Sequence, residues 1–380
     1  MSTKILSVNG RFLSRNHTGV ERVAKETLNS IEEVLSICDK DPSSILSYLF
    51  PKLNDHIKKT IQSKEINYST GSLSGQFWEQ VELPKTCYNT WLYNPCNVGP
   101  IFKRKSILTI HDAQVYLVPN SYSASFRIWY KTLLPILGRT SKIVTTVSQY
   151  SKEKLEYFNV VPKGKIKVIY NGCDHIKRIK SDINILDRYN IHRKEYYFAI
   201  GSLSPHKNLN ILSGALPLLK ERNIPLVVAG SRMEKIFTSV DETQDNNVIY
   251  LGRVTDSELK ALYENALCLL FPSLFEGFGL PPLEAMSCGC PVIASNTSSI
   301  PEICRSSVLY ANPRSYSEWA SKMNEITSDL ELQQTMVRKG YHLSSIYTWR
   351  KAAISLLKLI AEMDKDRVFY KKLSELELIN

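Results

Sequence analysis

Two carboxylates, Glu276 and Glu284, stand eight positions apart in the run Phe271-Pro-Ser-Leu-Phe-Glu-Gly-Phe-Gly-Leu-Pro-Pro-Leu-Glu-Ala-Met-Ser-Cys-Gly-Cys-Pro-Val-Ile-Ala-Ser295. The run reads as strand, tight glycine loop, helix, glycine stop and strand. Glu276 falls at the mouth of the loop and Glu284 one turn into the helix. Gly277 and Gly279 leave room for a ligand to approach the backbone. Pro281 and Pro282 suit a first helical turn, where a missing N–H does no harm. The free N–H groups at that helix start favour an anion. One anion site flanked by two carboxylates suits a molecule with a phosphate centre and hydroxyl groups at each end, and a nucleotide sugar has that form.

Three further segments could serve the same chemistry. Ala199-Ile-Gly-Ser-Leu-Ser-Pro-His-Lys-Asn208 follows a strand and opens a helix, so Lys207 is expected at a helix start facing the anion site. A lysine there neutralises charge developing on a departing diphosphate. Ile107-Leu-Thr-Ile-His-Asp-Ala113 ends an apolar strand in His111, and the C-terminal ends of parallel strands are where ligands bind. Gly19, after the first strand and at a helix start, lets a backbone N–H approach a phosphate. In Thr145-Thr-Val-Ser-Gln-Tyr-Ser-Lys152, Ser148 is expected as a helix N-cap, and in Tyr250-Leu-Gly-Arg-Val-Thr-Asp-Ser-Glu-Leu259 a helix N-cap at Asp256 is one of two readings, the other being a segment that lines a ligand pocket.

The elements that must position these residues are alternating strands and helices, the pattern of parallel sheets built from βαβ units. In the first half strands are expected near Lys4–Val8, Ser44–Phe50, Tyr88–Tyr93, Ser106–Ile110, Lys142–Val147 and Ile166–Tyr170. In the second half they are expected near Tyr196–Ile200, Pro225–Ala229, Val248–Leu251, Cys268–Phe271, Pro291–Ala294 and Ser307–Tyr310. Residues 52–75 are polar and poorly patterned and read as a mobile insertion. The polar stretch His175–Arg193 reads as the linker between two α/β domains, and a last helical stretch begins near Tyr347-Thr-Trp-Arg.

Glu276-x7-Glu284 in its Phe-Glu-Gly-Phe-Gly-Leu-Pro context resembles the retaining glycosyltransferases of family 4, also known as glycosyl transferases group 1. Gly201–Asn208 is most similar to the branch of that family that carries Gly-Thr-Leu-Glu-Pro-Arg-Lys-Asn, which often contains mannosyltransferases of bacterial surface-polysaccharide assembly. The resemblance covers nearly the full chain. It implies the GT-B fold: two Rossmann-like, doubly wound parallel-sheet α/β domains facing across a cleft. The expected domains are 1–180, which takes the acceptor, 190–346, which takes the nucleotide sugar, and C-terminal helices over 347–380 that partly cross back to the first domain. It implies that His111, Lys207 and Glu276 are the catalytic residues. Donor contacts are implied at Gly19, Gly201, Ser202, His206, Lys207, Val254, Glu276, Gly277, Phe278, Gly279, Leu280 and Glu284, with Glu276 on the sugar, Glu284 on the ribose and Val254 in the nucleobase pocket. Ser202 stands where the family often has an arginine, which leaves open whether His206 supplies a second cationic phosphate contact. The implied chemistry is transfer of a sugar with retention, GDP-mannose being the leading donor, to a glycan or lipid-linked acceptor. No metal and no other cofactor is expected.

Charge and composition narrow the remaining classes. The 380 residues carry a net charge of +11. Residues 1–190 hold 27 Lys+Arg against 16 Asp+Glu (+11), and residues 191–380 hold 21 of each (zero). The basic residues are scattered and lack the aromatic-flanked arginines of common RNA modules, so no nucleic-acid partner is expected. The segment Phe126–Arg139, with Lys103-Arg-Lys105 ahead of it, mixes aromatics, aliphatics and cations. It suits either a core-facing helix with a basic outer face or a contact with the anionic inner face of the cytoplasmic membrane. The 8 Cys form no paired framework and no zinc spacing, which points to a reducing cytoplasm. No apolar run is long enough to span a bilayer. Asp39-Lys-Asp41 and Asp364-Lys-Asp366 have the spacing of a metal-holding Asp-x-Asp, but neither follows an apolar strand. Competing functions are an epimerase or phosphorylase on the same fold, or a basic binding module without enzymatic activity. The ordered set Gly19, His111, Lys207, Glu276 and Glu284 argues against them.

Overall fold

A computed structural model describes residues 6–14, 19–53, 67–201, 204–219, 223–230 and 247–378. The chain divides into two compact units. One contains residues 1–117, 122–172 and 349–380; the other contains 118–121 and 173–348.

The first unit is built on seven parallel strands: β1 Leu6–Asn9, β2 Leu46–Phe50, β3 Tyr68–Thr70, β4 Trp91–Asn94, β5 Ser106–Thr109, β6 Ile143–Thr146 and β7 Ile166–Val168. Their order is β3-β2-β1-β4-β5-β6-β7. The chain winds outward from β1 in one direction and from β4 in the other, so β1 and β4 flank the topological switch point. Residues of β1, β2, β4, β5 and β6 are buried along their whole length. Sheets covered on both faces select such continuous apolar runs over alternation. β3 lies inside the segment expected to be an unpatterned insertion. It is a three-residue edge strand, half-buried to exposed, and so carries almost no apolar signal. Most of that segment, residues 54–66, lies outside the described residues.

The helix Gly19–Ile37 covers one face and is itself covered by Trp349–Met363. Ile31 and Leu35 share one core with Ile354, Leu357 and Ile360. Arg367–Leu378 adds Phe369 and Leu373 to that core, and Asp366 caps it by accepting from Phe369 N–H at 2.9 Å.

The second unit has six parallel strands: β8 Tyr197–Ile200, β9 Leu226–Ala229, β10 Val248–Gly252, β11 Cys268–Phe271, β12 Val292–Ser295 and β13 Leu309–Ala311. Their order is β10-β9-β8-β11-β12-β13, which puts the switch point between β8 and β11. The stretch expected as a polar linker is part of this unit. It forms short helices His175–Arg178 and Asn184–Arg188, with His175, Ile176, Ile185 and Leu186 buried. Alternating cations disguised a buried histidine and three apolar anchors.

Candidate active site

The loops after β8 and β11 converge at the switch point of the second sheet, the position where open parallel sheets hold their ligands. Lys207 ends a single 3-10 turn, Pro205–Lys207, rather than starting the helix, which follows at Asn210–Ala215. The turn is held by Asn208, in the left-handed region at φ 55°, whose amide donates to Pro272 O at 3.1 Å and Pro313 O at 2.7 Å. Lys207 Nζ donates to Glu276 Oε1 at 2.6 Å and lies 5.7 Å from the centre of the Phe271 ring. Both side chains keep some solvent exposure, 20% and 13%. The pair therefore joins one residue from each side of the switch point, and its ammonium remains open to a third partner.

The Glu276 loop is pinned by residues with no counterpart in the sequence expectations. Glu276 N–H donates to Ser298 Oγ at 3.1 Å, and Ser299 Oγ–H bonds the carbonyls of Glu276 and Phe278, both at 3.0 Å. The Ser/Thr-rich segment after β12 was the available signal, since short hydroxyl side chains favour bonds to nearby backbone. Gly279 caps the helix Leu280–Ser287 at φ 102°. A Cβ there would also lie 2.7 Å from Ile300 Cδ1, so only glycine fits without strain. Gly277 and Leu280 are partly exposed and Phe278 is buried, packed edge-on against Tyr347 with centroids 5.8 Å apart.

Glu284 is 5% exposed. Tyr263 donates to its Oε2 at 3.2 Å, and His175 Nε2 approaches Oε1 at 3.0 Å without hydrogen-bond alignment. Burial and the adjacent carboxylate push the Tyr263 hydroxyl well above its usual pKa, so it stays a donor. The buried Tyr263 hydroxyl thus holds the carboxylate that the resemblance assigns to the ribose, with His175 packed beside it.

His206 is held in its neutral form. It is 8% exposed, its Nδ1 lies 3.4 Å from Ser121 Oγ, and burial followed by the neighbouring Lys207 charge brings its pKa down to about 4. Ser202 lies outside the described residues. Gly201 donates to Ala229 O at 3.1 Å, and the Lys207 stem lies over it, 3.4 Å from where a Cβ would stand, an ordinary contact distance. Val254 is partly exposed between β10 and the helix Asp256–Asn265. That helix is capped by Thr255 with Glu258 in a reciprocal box, not by Asp256.

In the first unit, His111 follows β5 and is buried, with Nε2 2.7 Å from Pro95 O and its backbone N–H on Asn97 Oδ1 at 2.8 Å. A carbonyl only accepts, so Nε2 carries the proton and Nδ1 is the acceptor in the neutral ring. Burial lowers its pKa and keeps it neutral. Gly19 opens its helix, exposed, with open space where a Cβ would stand. Ser148 caps the helix Gln149–Tyr157 as expected. Both Asp-x-Asp pairs have structural partners. Asp39 pairs with Lys372, Asp41 caps a turn at Ser43, Asp364 accepts from Trp91 Nε1 and Asp366 caps the last helix.

Comparison with known proteins bears on the family and the fold. The glycosyl transferases group 1 domain matches residues 183–343, and the Glycosyltransferase Family 4 domain matches 92–177. O-antigen chain mannosyltransferase B of Escherichia coli is 29% identical over 275 residues, 69% of this chain and 72% of that protein. O-antigen chain mannosyltransferase RfbU of Salmonella typhimurium is 31% identical over 229 residues, 59% of this chain and 61% of RfbU, so the match spans less than two thirds of RfbU. Among solved structures, Anabaena HepE in complex with UDP and glucose superposes with TM-score 0.72 at 18% identity, over 94% of this chain and 99% of that one. WaaG, a glycosyltransferase involved in lipopolysaccharide biosynthesis, superposes with TM-score 0.66 at 14% identity, over 92% and 98%. With two parallel-sheet units, a shared GT-B fold and both halves matched in sequence, the chain belongs to the family 4, group 1 glycosyltransferases.

Proposed function

We propose that this glycosyltransferase moves a hexose, with retention, from a nucleotide sugar to a glycan or lipid-linked glycan of a surface polysaccharide. GDP-mannose is the leading donor, because the similar proteins named above are O-antigen mannosyltransferases. The observation that carries the reading is the Lys207–Glu276 pair at 2.6 Å across the β8–β11 switch point. Lys207 supplies charge to the departing diphosphate, helped by the loop N–H groups of Gly277 to Leu280. Glu276 orients Lys207 before the donor arrives and takes a sugar hydroxyl once the lysine turns to phosphate. Glu284, held by Tyr263, takes the ribose. His111 offers a neutral acceptor nitrogen to the sugar, and Gly19 a backbone N–H to phosphate. The acceptor hydroxyl attacks from the leaving-group side and passes its proton to a diphosphate oxygen, so the protein contributes positioning and charge rather than a covalent intermediate. The scheme uses no metal ion and no cofactor.

A thermal-shift panel of GDP-, UDP-, dTDP- and ADP-sugars tests the donor site. Stabilisation by one nucleotide class, lost in Glu284→Ala, is the expected result; no shift with any of them would remove the donor-site reading. Proton NMR of the anomeric signal in the product tests retention.

A membrane contact is proposed on separate grounds. Ile128, Trp129 and Ile136 on the helix Ala124–Thr140 are 69%, 43% and 38% exposed. This outer face carries them beside the exposed cations Lys131 and Arg139. No described helix is long and apolar enough to cross a membrane, so the contact would be peripheral.

A further inference from the structure

A short helix, Ile300–Cys304, and a tight turn join β12 to β13, and the turn carries a residue that its shape disfavours. Arg305 stands at φ 48° and ψ −131°, and Ser307 N–H closes the turn on Cys304 O at 3.0 Å. This is the shape of a type II′ turn, where glycine is the usual occupant because a Cβ is crowded there. Asn208, at φ 55° and ψ 32°, occupies the left-handed region that short polar side chains tolerate, and Arg305 lies outside it. The strained conformation is held by its neighbours. Tyr310 donates its hydroxyl to Arg305 O at 2.6 Å, and Arg305 N–H reaches Pro301 O at 3.1 Å. Strain that a structure maintains in this way often serves a functional site.

The Arg305 side chain leads to the Glu276 loop. Its guanidinium hydrogen-bonds the Tyr347 hydroxyl. A guanidinium only donates, so the tyrosine oxygen accepts. Tyr347 is buried, and burial holds its hydroxyl above the ordinary pKa although the arginine charge acts the other way. The Tyr347 carbonyl accepts from Cys173 N–H at 3.0 Å, and its ring meets Phe278 edge-on at 5.8 Å. Phe278 belongs to the Glu276 loop, whose carbonyls are held by Ser299 at the opposite end of the same short helix. The contacts therefore close a circuit. It runs from the loop to Ser299, along the helix to Arg305, across to Tyr347 and back to the loop at Phe278. Ser299, Phe278 and Tyr347 are buried in it, and Arg305 is its exposed link.

We propose that Arg305 is a positioning residue of the donor site: its contact with Tyr347 closes the circuit that sets the Glu276 loop in its binding shape before the donor arrives. The proposal rests on the reading of that loop as the donor site. It adds to that reading a residue outside the loop, and a reason for an arginine where the backbone favours glycine.

Arg305→Gly separates this role from a structural one. It removes the guanidinium and suits the turn, so the variant should melt at or above the wild-type temperature, by up to about 4 °C. A lost structural contact would move the melt the other way. With the circuit open, hydrogen exchange in the ligand-free chain should quicken about tenfold or more for the peptide carrying Gly277–Leu280. The calorimetric Kd for GDP-mannose, with UDP-glucose, dTDP-glucose and ADP-glucose run alongside, should rise about tenfold, because the loop must then be ordered on binding. Tyr347→Phe keeps the ring on Phe278 and leaves the turn alone, but removes the oxygen that Arg305 grips. It should give the same two changes, and the double variant should be no weaker than either single one, since both break one contact. Wild-type exchange or affinity in Arg305→Gly, a melting temperature well below wild type, or losses that add in the double variant would each overturn the proposal. Wild-type protein that binds none of the four nucleotide sugars would remove the donor-site reading instead, and the exchange rates would still decide whether Arg305 holds the loop.

Discussion

Lys207 is the proposed site residue with the most closely defined surroundings. It is partly exposed and its partner Glu276 is too, so neither charge is stranded in an apolar interior when the other is removed. Lys207→Ala should therefore fold with nearly the wild-type melting temperature, while turnover falls by roughly 10²–10³, the usual effect of removing one preorganised charge donor. Steady-state donor consumption and a thermal melt check both halves, and near-normal turnover would move the diphosphate elsewhere. Tyr263 makes the opposite case. Its hydroxyl touches only the carboxylate of Glu284 among the described contacts. Tyr263→Phe should weaken nucleotide-sugar binding by about tenfold, the scale of one hydrogen bond to a charged group, and calorimetry reads it directly. Lys207, Glu276 and Glu284 were legible in the sequence because each falls at a fixed offset from a strand end. Tyr263, His175 and Ser299 were not, because they reach the site from other elements, and spacing along one segment carries no trace of contacts across several.

At the scale of elements, the strands were legible for a simple reason: parallel strands buried on both faces leave continuous apolar runs, and twelve of the thirteen stand where such runs do. β3 escaped because an exposed edge strand has no core to face. The Glu276 loop and its helix were readable from glycines and prolines, and Gly279 shows why. Gly279→Ala places a side chain at φ 102° and against Ile300, so it should cost roughly 1–3 kcal/mol and loosen the loop that carries Glu276. Chemical denaturation and nucleotide titration measure the two effects together. The turn before Lys207 adds a pH dependence. His206 titrates near 4 when folded, against an ordinary value of 6.5. As pH falls, the unfolded chain takes up the proton first, so the neutral buried ring's contribution is complete above about 6.5 and is lost on the way down to about 4. His206→Gln should flatten that part of the stability profile between pH 7 and 4, and an unchanged slope would mean that the ring is solvated.

Across the whole molecule, the charge asymmetry is the feature that sequence and structure weight differently. All of the net +11 lies in residues 1–190, yet within the Lys103-Arg-Lys105 cluster only Arg104 and Lys105 are exposed. Lys103 is buried and spends its ammonium on the carbonyls of Cys87 and Tyr88 at 2.7 and 2.8 Å, and Lys105 lies 3.6 Å from Asp364. Composition cannot tell a lysine that caps a helix end from one that faces solvent. The exposed apolar residues of Ala124–Thr140 were half legible: the sequence showed aromatics beside cations, but only packing shows that Leu133, Leu134 and Leu137 take the core and leave Ile128 and Trp129 outside. If those residues enter a bilayer surface, binding should combine apolar insertion with attraction of the scattered first-half cations to anionic lipid. The chain should float with vesicles containing anionic lipid more than with neutral ones, and salt should weaken that preference because the electrostatic part is screened. Ile128→Ser with Trp129→Ser should reduce flotation at every salt concentration, since it removes the part that salt does not screen, without changing the nucleotide-induced thermal shift. Equal flotation with neutral and anionic vesicles would remove the charge from the argument, and an unaltered double variant would remove the helix.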